Sequence, residues 1–203
     1  MVQLSAGCSQ FLWKCSADGL RKDEKLLHPI LTPTTKLEKH DRPISRKEAT
    51  AEGLIDAETF DAVADICFRL FGRGVEYARS QRLILVDTKY EMGMLNGQFM
   101  VTDEIHTPDS SRYWFAETYE KLFDAGKDQR KLDKEYVREW LAAQGFRGEG
   151  TPPKLTDEVR VEAAKRYVLA YELITGREFV VSDEPVRERI RKTLESVDCV
   201  PCE

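Results

Sequence analysis

The chain has 203 residues, of which 41% are hydrophobic and 33% are charged, and its formal net charge is -5 at pH 7. This composition predicts a soluble globular protein of one domain, or of one domain and part of another, and the negative charge argues against non-specific binding to nucleic acid. Because the sequence has no apolar run of about 18 residues and no basic-then-apolar N-terminus, we expect neither a membrane span nor a secretory signal, and therefore a cytoplasmic protein.

The first third of the chain predicts an extended region followed by helices. Residues 1–17 lack a clear period and are interpreted as a poorly ordered leader. Three prolines and three threonines in residues 29–45 predict an extended segment. Ser45 and Glu48 form a capping-box signal for a helix start. A longer helix is predicted from about residue 57 to 80, with one apolar stripe made of Phe60, Val63, Ile66, Cys67, Leu70, Phe71 and Tyr77.

The middle of the chain predicts a hairpin. The apolar run at residues 83–86 predicts a buried strand that continues to Glu91. Asn96-Gly97 is a strong turn signal, and residues 98–105 are predicted to be the returning strand. Residues 106–112 are interpreted as a loop.

Three further helices are predicted in the last third. Asp133 is a candidate cap for the first, which would end at Gly145. Thr156 or Asp157 would cap the second, which would end at Gly176. The third follows Ser182 or Asp183 as a cap, has Pro185 in its first turn, and is expected to pack back through Val186, Ile190, Leu194 and Val197.

The cysteines do not indicate a disulfide framework, because their number is odd and the chain is not small. They are Cys8, Cys15, Cys67, Cys199 and Cys202. The C-x-x-C pair at the C-terminus could form a zinc site only with two more ligands, which Cys8 and Cys15 could supply. Reduced free thiols are the favoured interpretation.

The strand and its return carry the most informative charges. Side chains alternate along a strand, so Asp87, Lys89 and Glu91 are expected on one face. Asp103 and Glu104 follow on the return. Carboxylates with a lysine suit Mg²⁺ together with a nucleotide phosphate. The alternative is a solvated hairpin face with cross-strand ion pairs, which composition alone favours.

The turn decides whether these carboxylates can meet. A strict two-residue turn would pair residue 91 with residue 102 and put Glu91 and Asp103 on opposite faces. An odd-length loop with Gly97 in a bulge would put both carboxylates on one face. We expect a shared metal site to need the second arrangement.

Two loops could bind anions. Residues 107–112 carry hydroxyls and the fork of Arg112, which suit a phosphate or carboxylate, although a proline turn with an exposed arginine is an equal alternative. In residues 32–41, the threonines and Lys36 could face a phosphate, and Asp41 could contact an amine or a metal. His40 could act as an acid or base, although most lone histidines are surface or packing residues.

Taken together, these segments resemble the SAICAR synthetase (phosphoribosylaminoimidazole-succinocarboxamide synthase) family. The resemblance is carried by Thr32-Pro33-Thr34-Thr35-Lys36, Lys39-His40-Asp41, Ile44-Ser45, Val86-Asp87-Thr88-Lys89-Tyr90-Glu91-Met92-Gly93 and Asp103-Glu104-Ile105-His106-Thr107-Pro108-Asp109-Ser110-Ser111-Arg112. It extends through Asp133-Lys134, residues 138–141 and residues 167–176, and covers about residues 18–179. The resemblance implies an α+β fold, an antiparallel sheet with helices packed on one side.

The resemblance also implies a reaction. Family members use ATP to phosphorylate the carboxylate of carboxyaminoimidazole ribonucleotide, and L-aspartate then displaces the phosphate to give SAICAR. It implies ATP and Mg²⁺ as cofactors, small-molecule substrates, and neither nucleic acid nor membrane as a partner. The implied roles are metal binding by Glu91 and Asp103, phosphate or carboxylate neutralisation by Lys89, catalysis by Lys89 and Asp41, and substrate binding by Lys36, His40, Asp109, Ser110, Ser111 and Arg112.

Family members also carry an N-terminal lobe with a glycine-containing loop over ATP. Fewer than 20 residues precede the resemblance here, so we expect most of that lobe to be missing. Either the chain is a truncated gene product or gene model, or another chain supplies the lobe; a homo-oligomer is the other partner that we consider. The expected organisation is a leader at residues 1–17, a synthetase-like domain at residues 18–179, and an amphipathic helix and tail at residues 180–203. The alternatives are a non-catalytic module that binds ribonucleotide and metal, and an interaction protein that uses the surface left by the lobe.

Overall fold

The computed structural model describes residues 2–7 as backbone, and residues 19–35, 41–132 and 134–196 in full. Its main sheet is built from β1 (Val2–Gly7), β2 (Thr34–Thr35), β3 (Leu83–Tyr90) and β6 (Ser111–Phe115). Every pair in this sheet is antiparallel, and the order is β2-β1-β3-β6. A separate hairpin pairs β4 (Met92–Leu95) with β5 (Gln98–Val101).

Six helices accompany the sheets in the described part of the chain: α1 (Arg46–Ala51), α2 (Ala57–Ser80), α3 (Ala116–Asp124), α4 (Glu135–Ala143), α5 (Asp157–Thr175) and α6 (Val186–Ser196). The predicted capping box is present, since Ser45 and Glu48 each accept the other's backbone N–H. The mixture of helices with an antiparallel sheet confirms the predicted α+β class. None of the described helices is both long and apolar enough to cross a bilayer.

The core lies between α2 and the main sheet. The apolar stripe of α2 supplies Phe60, Val63, Cys67 and Phe71, as its spacing predicted, and these side chains are buried. They pack with buried residues of the strands, namely Leu83, Leu85, Tyr90 and Tyr113. Packing on α2 therefore fixes one face of β3 and β6, and near Asp87 and Arg112 the other face carries polar side chains.

A bulge at Val86 sets which residues of β3 face the core. Leu85 pairs with Tyr113 but Asp87 pairs with Arg112, so β3 has one extra residue between the two pairs. Before the bulge the odd-numbered Leu83 and Leu85 belong to the core; after it the even-numbered Tyr90 does. Because a bulge redirects the side chains that follow it, Asp87, Lys89 and Glu91 take the face away from α2.

The termini differ from two of the predictions. The interpretation of residues 1–17 as lacking regular structure was wrong for Val2–Gly7, whose backbone lies between β2 and β3 because it pairs with both. Residues 8–18 lie outside the described residues, as do Asp133, Val197 and the C-terminal cysteines. The prediction that α6 packs back was also wrong, since Val186, Ile190 and Leu194 are each more than half exposed.

The segment around the hairpin differs as well. The return strand ends at Val101 rather than at residue 105. Asp103 Oδ1 accepts the backbone N–H of Glu104 at 2.9 Å, and such a local bond competes with strand pairing. Ser111 and Arg112 begin β6 rather than ending a loop, and α3 was not predicted.

Candidate active site

Lys89 stands between two carboxylates at the end of β3. Its Nζ lies 2.9 Å from Glu91 Oε1 and 3.8 Å from Asp103 Oδ2. The Glu91 side chain is 11% exposed, while those of Lys89 and Asp103 are 38% and 45% exposed. The two predicted metal ligands therefore converge on one ammonium group, at a place that is open to solvent on one side.

The carboxylates meet although the turn is the strict two-residue type. Leu95 pairs with Gln98, and Asn96 and Gly97 have φ of 52° and 78°, as a type I′ turn requires. The backbone N–H of Thr102 donates to Glu91 O at 3.0 Å. The expectation that a shared site needs an odd-length loop was wrong, because the chain leaves the ladder after Val101 and Asp103 is no longer bound by strand alternation.

Arg112 is held by Asp87 on the neighbouring strand. Nε of Arg112 donates to Asp87 Oδ1 at 2.8 Å, and Nη2 donates to Oδ2. Both side chains are mostly buried, at 23% and 17% exposure. A two-point contact of this kind fixes the plane of the guanidinium group. Asp87 therefore orients the arginine that the sequence singled out, a role that the sequence did not indicate.

The predicted anion-binding loop is organised by Thr107. Its Oγ1 donates to Glu104 and accepts from the backbone N–H groups of Asp109 and Ser110 at 3.3 and 3.4 Å. The carbonyl of Ser110 accepts from the backbone N–H of Lys89 at 3.0 Å. Ser110 is thus bonded directly to the strand that carries Lys89.

Two other members of the loop have separate partners. Asp109 Oδ1 lies 3.1 Å from Nζ of Lys134, just before α4, a contact that the sequence did not predict. Ser111 is buried, and its Oγ donates to Thr88 Oγ1 at 2.8 Å. Strand alternation puts Ser111 on the core face, opposite Arg112, so these two predicted binding residues point in different directions.

Thr35, which ends β2, lies at the same end of the sheet as the end of β3. Because β2 and β3 are both antiparallel to β1, they run in the same direction, and residues 36–40 follow β2 as Glu91 follows β3. The chain returns at Asp41, which is exposed, and Arg42 O accepts from the backbone N–H of Thr35 at 3.0 Å. Lys36 and His40 lie outside the described residues, so their predicted roles stay predictions.

Charge at the site favours a cation beside Lys89. The hydrogen bond to Glu91 raises the pKa of Lys89 above its ordinary value, and the charges of Glu91, Asp103 and Glu104 add to it. The lysine is therefore protonated at neutral pH, yet it leaves Glu91, Asp103 and Glu104 with excess negative charge. No cluster of three or more metal-ligating side chains occurs among the described residues. Two carboxylates suit Mg²⁺, which commonly binds one or two carboxylates together with substrate phosphates.

Comparison with known proteins gives one consistent family. The family model of SAICAR synthetase matches residues 4–154. A phosphoribosylaminoimidazole-succinocarboxamide synthase of Legionella pneumophila (strain Lens) is 44% identical over 93% of this chain and 62% of its own length. One of Bacteroides thetaiotaomicron is also 44% identical, over 87% of this chain and 58% of its own.

Solved structures agree with the fold. The Saccharomyces cerevisiae SAICAR synthase, solved with SAICAR, has a TM-score of 0.73 at 26% identity over 89% of this chain and 62% of that one. A SAICAR synthetase solved with ADP has a TM-score of 0.65 at 24% identity over 89% and 65%. The chain thus spans about three fifths of the length of the proteins that it matches.

Proposed function

Because this chain belongs to the SAICAR synthetase family, we propose that it carries the ATP-dependent ligase chemistry of de novo purine biosynthesis. In the proposed reaction a carboxylate oxygen of carboxyaminoimidazole ribonucleotide attacks the γ-phosphorus of ATP, which releases ADP and leaves an acyl phosphate. The amine of L-aspartate then attacks the acyl carbon, loses a proton and displaces inorganic phosphate. The product is SAICAR. We place the reaction in the cytoplasm, with the small-molecule substrates as partners and with a homo-oligomer, or a chain that supplies further ATP-binding groups, as the other partner considered.

The observation that carries the proposal is the position of Lys89 between Glu91 and Asp103, on the same face as the Asp87–Arg112 pair. Phosphoryl transfer asks a protein mainly to position groups and to neutralise charge. A protonated lysine and an oriented guanidinium group provide fixed positive charge for phosphate and carboxylate oxygens. Packing alone does not require five charged groups on one face.

The named residues divide into two groups by what they would bind. Glu91 and Asp103 would hold Mg²⁺, which when bound supplies positive charge at the ATP phosphates. Lys89 would bind a phosphate or carboxylate oxygen, since its ammonium group is partly exposed. Arg112, Asp109 and Ser110 would bind and orient the ribonucleotide together with Lys36 and His40. Ser111 is buried and bonded to Thr88, so it would support the strand and not touch the substrate. Asp41 would lie beside the imidazole carboxylate and the entering aspartate.

A second candidate function follows because the chain spans only about three fifths of the length of its relatives. Binding of ribonucleotide and metal without turnover would need only the residues described above, whereas turnover also needs groups that hold ATP. The two candidates predict different results with the same purified protein. The ligase predicts product, and the binding module predicts complex formation alone.

The test is an assay of the 203-residue protein with ATP, MgCl₂, L-aspartate and carboxyaminoimidazole ribonucleotide. SAICAR is quantified by chromatography and ADP by an enzyme-coupled assay, with reactions that omit aspartate or ribonucleotide as controls. Equal amounts of ADP and SAICAR, both dependent on aspartate, support the ligase. Calorimetric binding of the ribonucleotide without product supports the second candidate. The absence of both product and binding would refute both candidates.

A further inference from the structure

His106 lies in the middle of the segment 102–111, which joins the hairpin to β6, and it makes contacts with both strands of the site. Its ring Nε2 is 2.5 Å from the hydroxyl oxygen of Tyr90. Its carbonyl oxygen accepts from the hydroxyl of Tyr113 at 2.7 Å. The ring also meets Tyr90 edge-on, with centroids 5.6 Å apart. The segment is thus bonded at its centre to β3 and β6 at once.

These two tyrosines are the sequence neighbours of the charged residues of the site. Tyr90 lies between Lys89 and Glu91, and Tyr113 follows Arg112. Because side chains alternate, each strand presents charge on one face and a buried tyrosine on the other. A shift of either tyrosine would therefore move a charged neighbour through the backbone.

Helix α2 closes the third side of the histidine. A Cβ added at Gly74 would lie 2.4 Å from Cε1 of His106, which is too close for real atoms. His106 also has a φ of 58°, a conformation that costs a residue other than glycine about 1 to 3 kcal/mol and persists only where surrounding contacts enforce it. Helix packing and the two tyrosine hydrogen bonds provide that enforcement.

We propose that His106 is a positioning residue, which holds the segment 102–111 and so keeps Asp103 beside Lys89. Its relevance to catalysis rests on the proposed function; its hold on the segment does not. Asp103 lies three residues before His106, and Ser110, bonded to the backbone of Lys89, lies four residues after it. With the centre released, the segment would still be bonded at its ends, through the Thr102 N–H to Glu91 and the Lys89 N–H to Ser110, but Asp103 would lose the restraint between them.

The first test compares Gly74→Ala with Gly72→Ala by hydrogen exchange. Both glycines lie inside α2, so both changes add similar helix propensity, but a Cβ at Gly72 meets nothing within 4 Å. Gly74→Ala should speed exchange of amides in residues 102–111 by about tenfold or more, while peptides from α5 exchange as before. Gly72→Ala should leave both regions unchanged. Equal protection of residues 102–111 in the two variants would overturn the proposal.

The second test asks whether the side chain at position 106 must reach the Tyr90 hydroxyl or needs only to fill space. In His106→Gln the side-chain amide takes the place of Nε2 and can still meet the Tyr90 hydroxyl, whereas in His106→Asn the amide takes the place of Nδ1 and cannot. His106→Asn and Tyr90→Phe should lower kcat about 10- to 100-fold, because misplaced groups cost that much, with KM for the ribonucleotide changed less than about twofold. His106→Gln should restore most of kcat. Fast exchange in residues 102–111 with an unchanged kcat would contradict the positioning role.

The two tests also separate this proposal from the proposed function. Hydrogen exchange requires no turnover, so it decides whether His106 holds the segment even if the parent protein makes no SAICAR. Suppose that the parent protein makes no SAICAR, and that its residues 102–111 are protected from exchange but lose that protection in Gly74→Ala. This result would refute the ligase and support the hold by His106. If the parent protein is active and His106→Asn has the same exchange and the same kcat as the parent, the ligase is supported and the hold by His106 is refuted.

Discussion

Asp87 and Arg112 face each other across β3 and β6, and the guanidinium group of Arg112 contacts both carboxylate oxygens of Asp87. The arginine that the sequence suggests for binding an anion is thus already oriented by a carboxylate of the sheet. The pair is electrically neutral and mostly buried. Its main effect is to fix the direction in which the remaining N–H groups of Arg112 point.

The first prediction concerns this geometry. Arg112→Lys keeps the charge but loses the fork that matches Asp87. We expect the free energy of unfolding to fall by about 1 to 3 kcal/mol, since charged hydrogen bonds at mostly buried groups are lost. Urea denaturation provides the measurement. Arg160→Lys, at an exposed pair with Asp157, is the control and should change stability by less than about 0.5 kcal/mol; equal effects would show that the Asp87 pair has no special role.

The second prediction concerns Lys89. Lys89→Met keeps an unbranched side chain that is one atom shorter and removes the charge, so Glu91 and Asp103 lose the cation that they share. We expect kcat to fall about 100- to 1000-fold, the usual loss when one preorganised electrostatic contact is removed. Lys22→Met removes a lysine from an exposed pair with Asp128 and should leave kcat unchanged. Turnover by Lys89→Met at the parental rate would remove this lysine from the proposed chemistry.

The third prediction concerns the metal. Glu91→Gln and Asp103→Asn each replace a hard anionic oxygen ligand by a neutral amide. The MgCl₂ concentration for half-maximal activity should rise at least about tenfold in both variants, as measured by titration at saturating ATP. Glu139→Gln removes a carboxylate paired with Lys131 and serves as the control. An unchanged magnesium requirement in both site variants would assign the metal to other residues.

The fourth prediction concerns pH. Burial lowers the pKa of His106 below its ordinary value of 6.5, so the folded protein favours the neutral ring. The stability that the neutral His106 ring contributes is therefore complete above pH 6.5 and is lost as pH falls through the lower folded-state pKa. Between about pH 7 and pH 5 the urea midpoint should fall less in His106→Gln than in the parent. His28→Gln, at an exposed histidine, should retain the parental slope; identical slopes in all three proteins would contradict the prediction.

Much of the helical structure could be predicted because local signals mark the ends of the helices. The capping box at Ser45 and the left-handed Gly176 lie where the sequence placed them. Helix α3 lacks such a signal, since its N-cap is Phe115, whose side chain makes no capping hydrogen bond. A helix without a recognisable start is easily taken for a connection between its neighbours.

The site depends on relationships that act over a longer range. The sequence placed Asp87, Lys89 and Glu91 on one face, but the partner of Arg112 follows from the register between strands 25 residues apart. The contact of Asp109 with Lys134 spans a similar distance along the chain. His106 gave no signal of its own, because its role comes from Tyr90, Tyr113 and Gly74, which meet only after folding.

The extra residue at Val86 determines what each side of β3 can do. If Val86 were instead paired in a regular ladder, strict alternation would turn Asp87 and Lys89 towards Phe71 and Cys67 and expose Tyr90 to water. A strand held in that regular register would have to expel the charges or unfold locally. One unpaired residue in a single strand therefore separates a charged surface from an unstable interior.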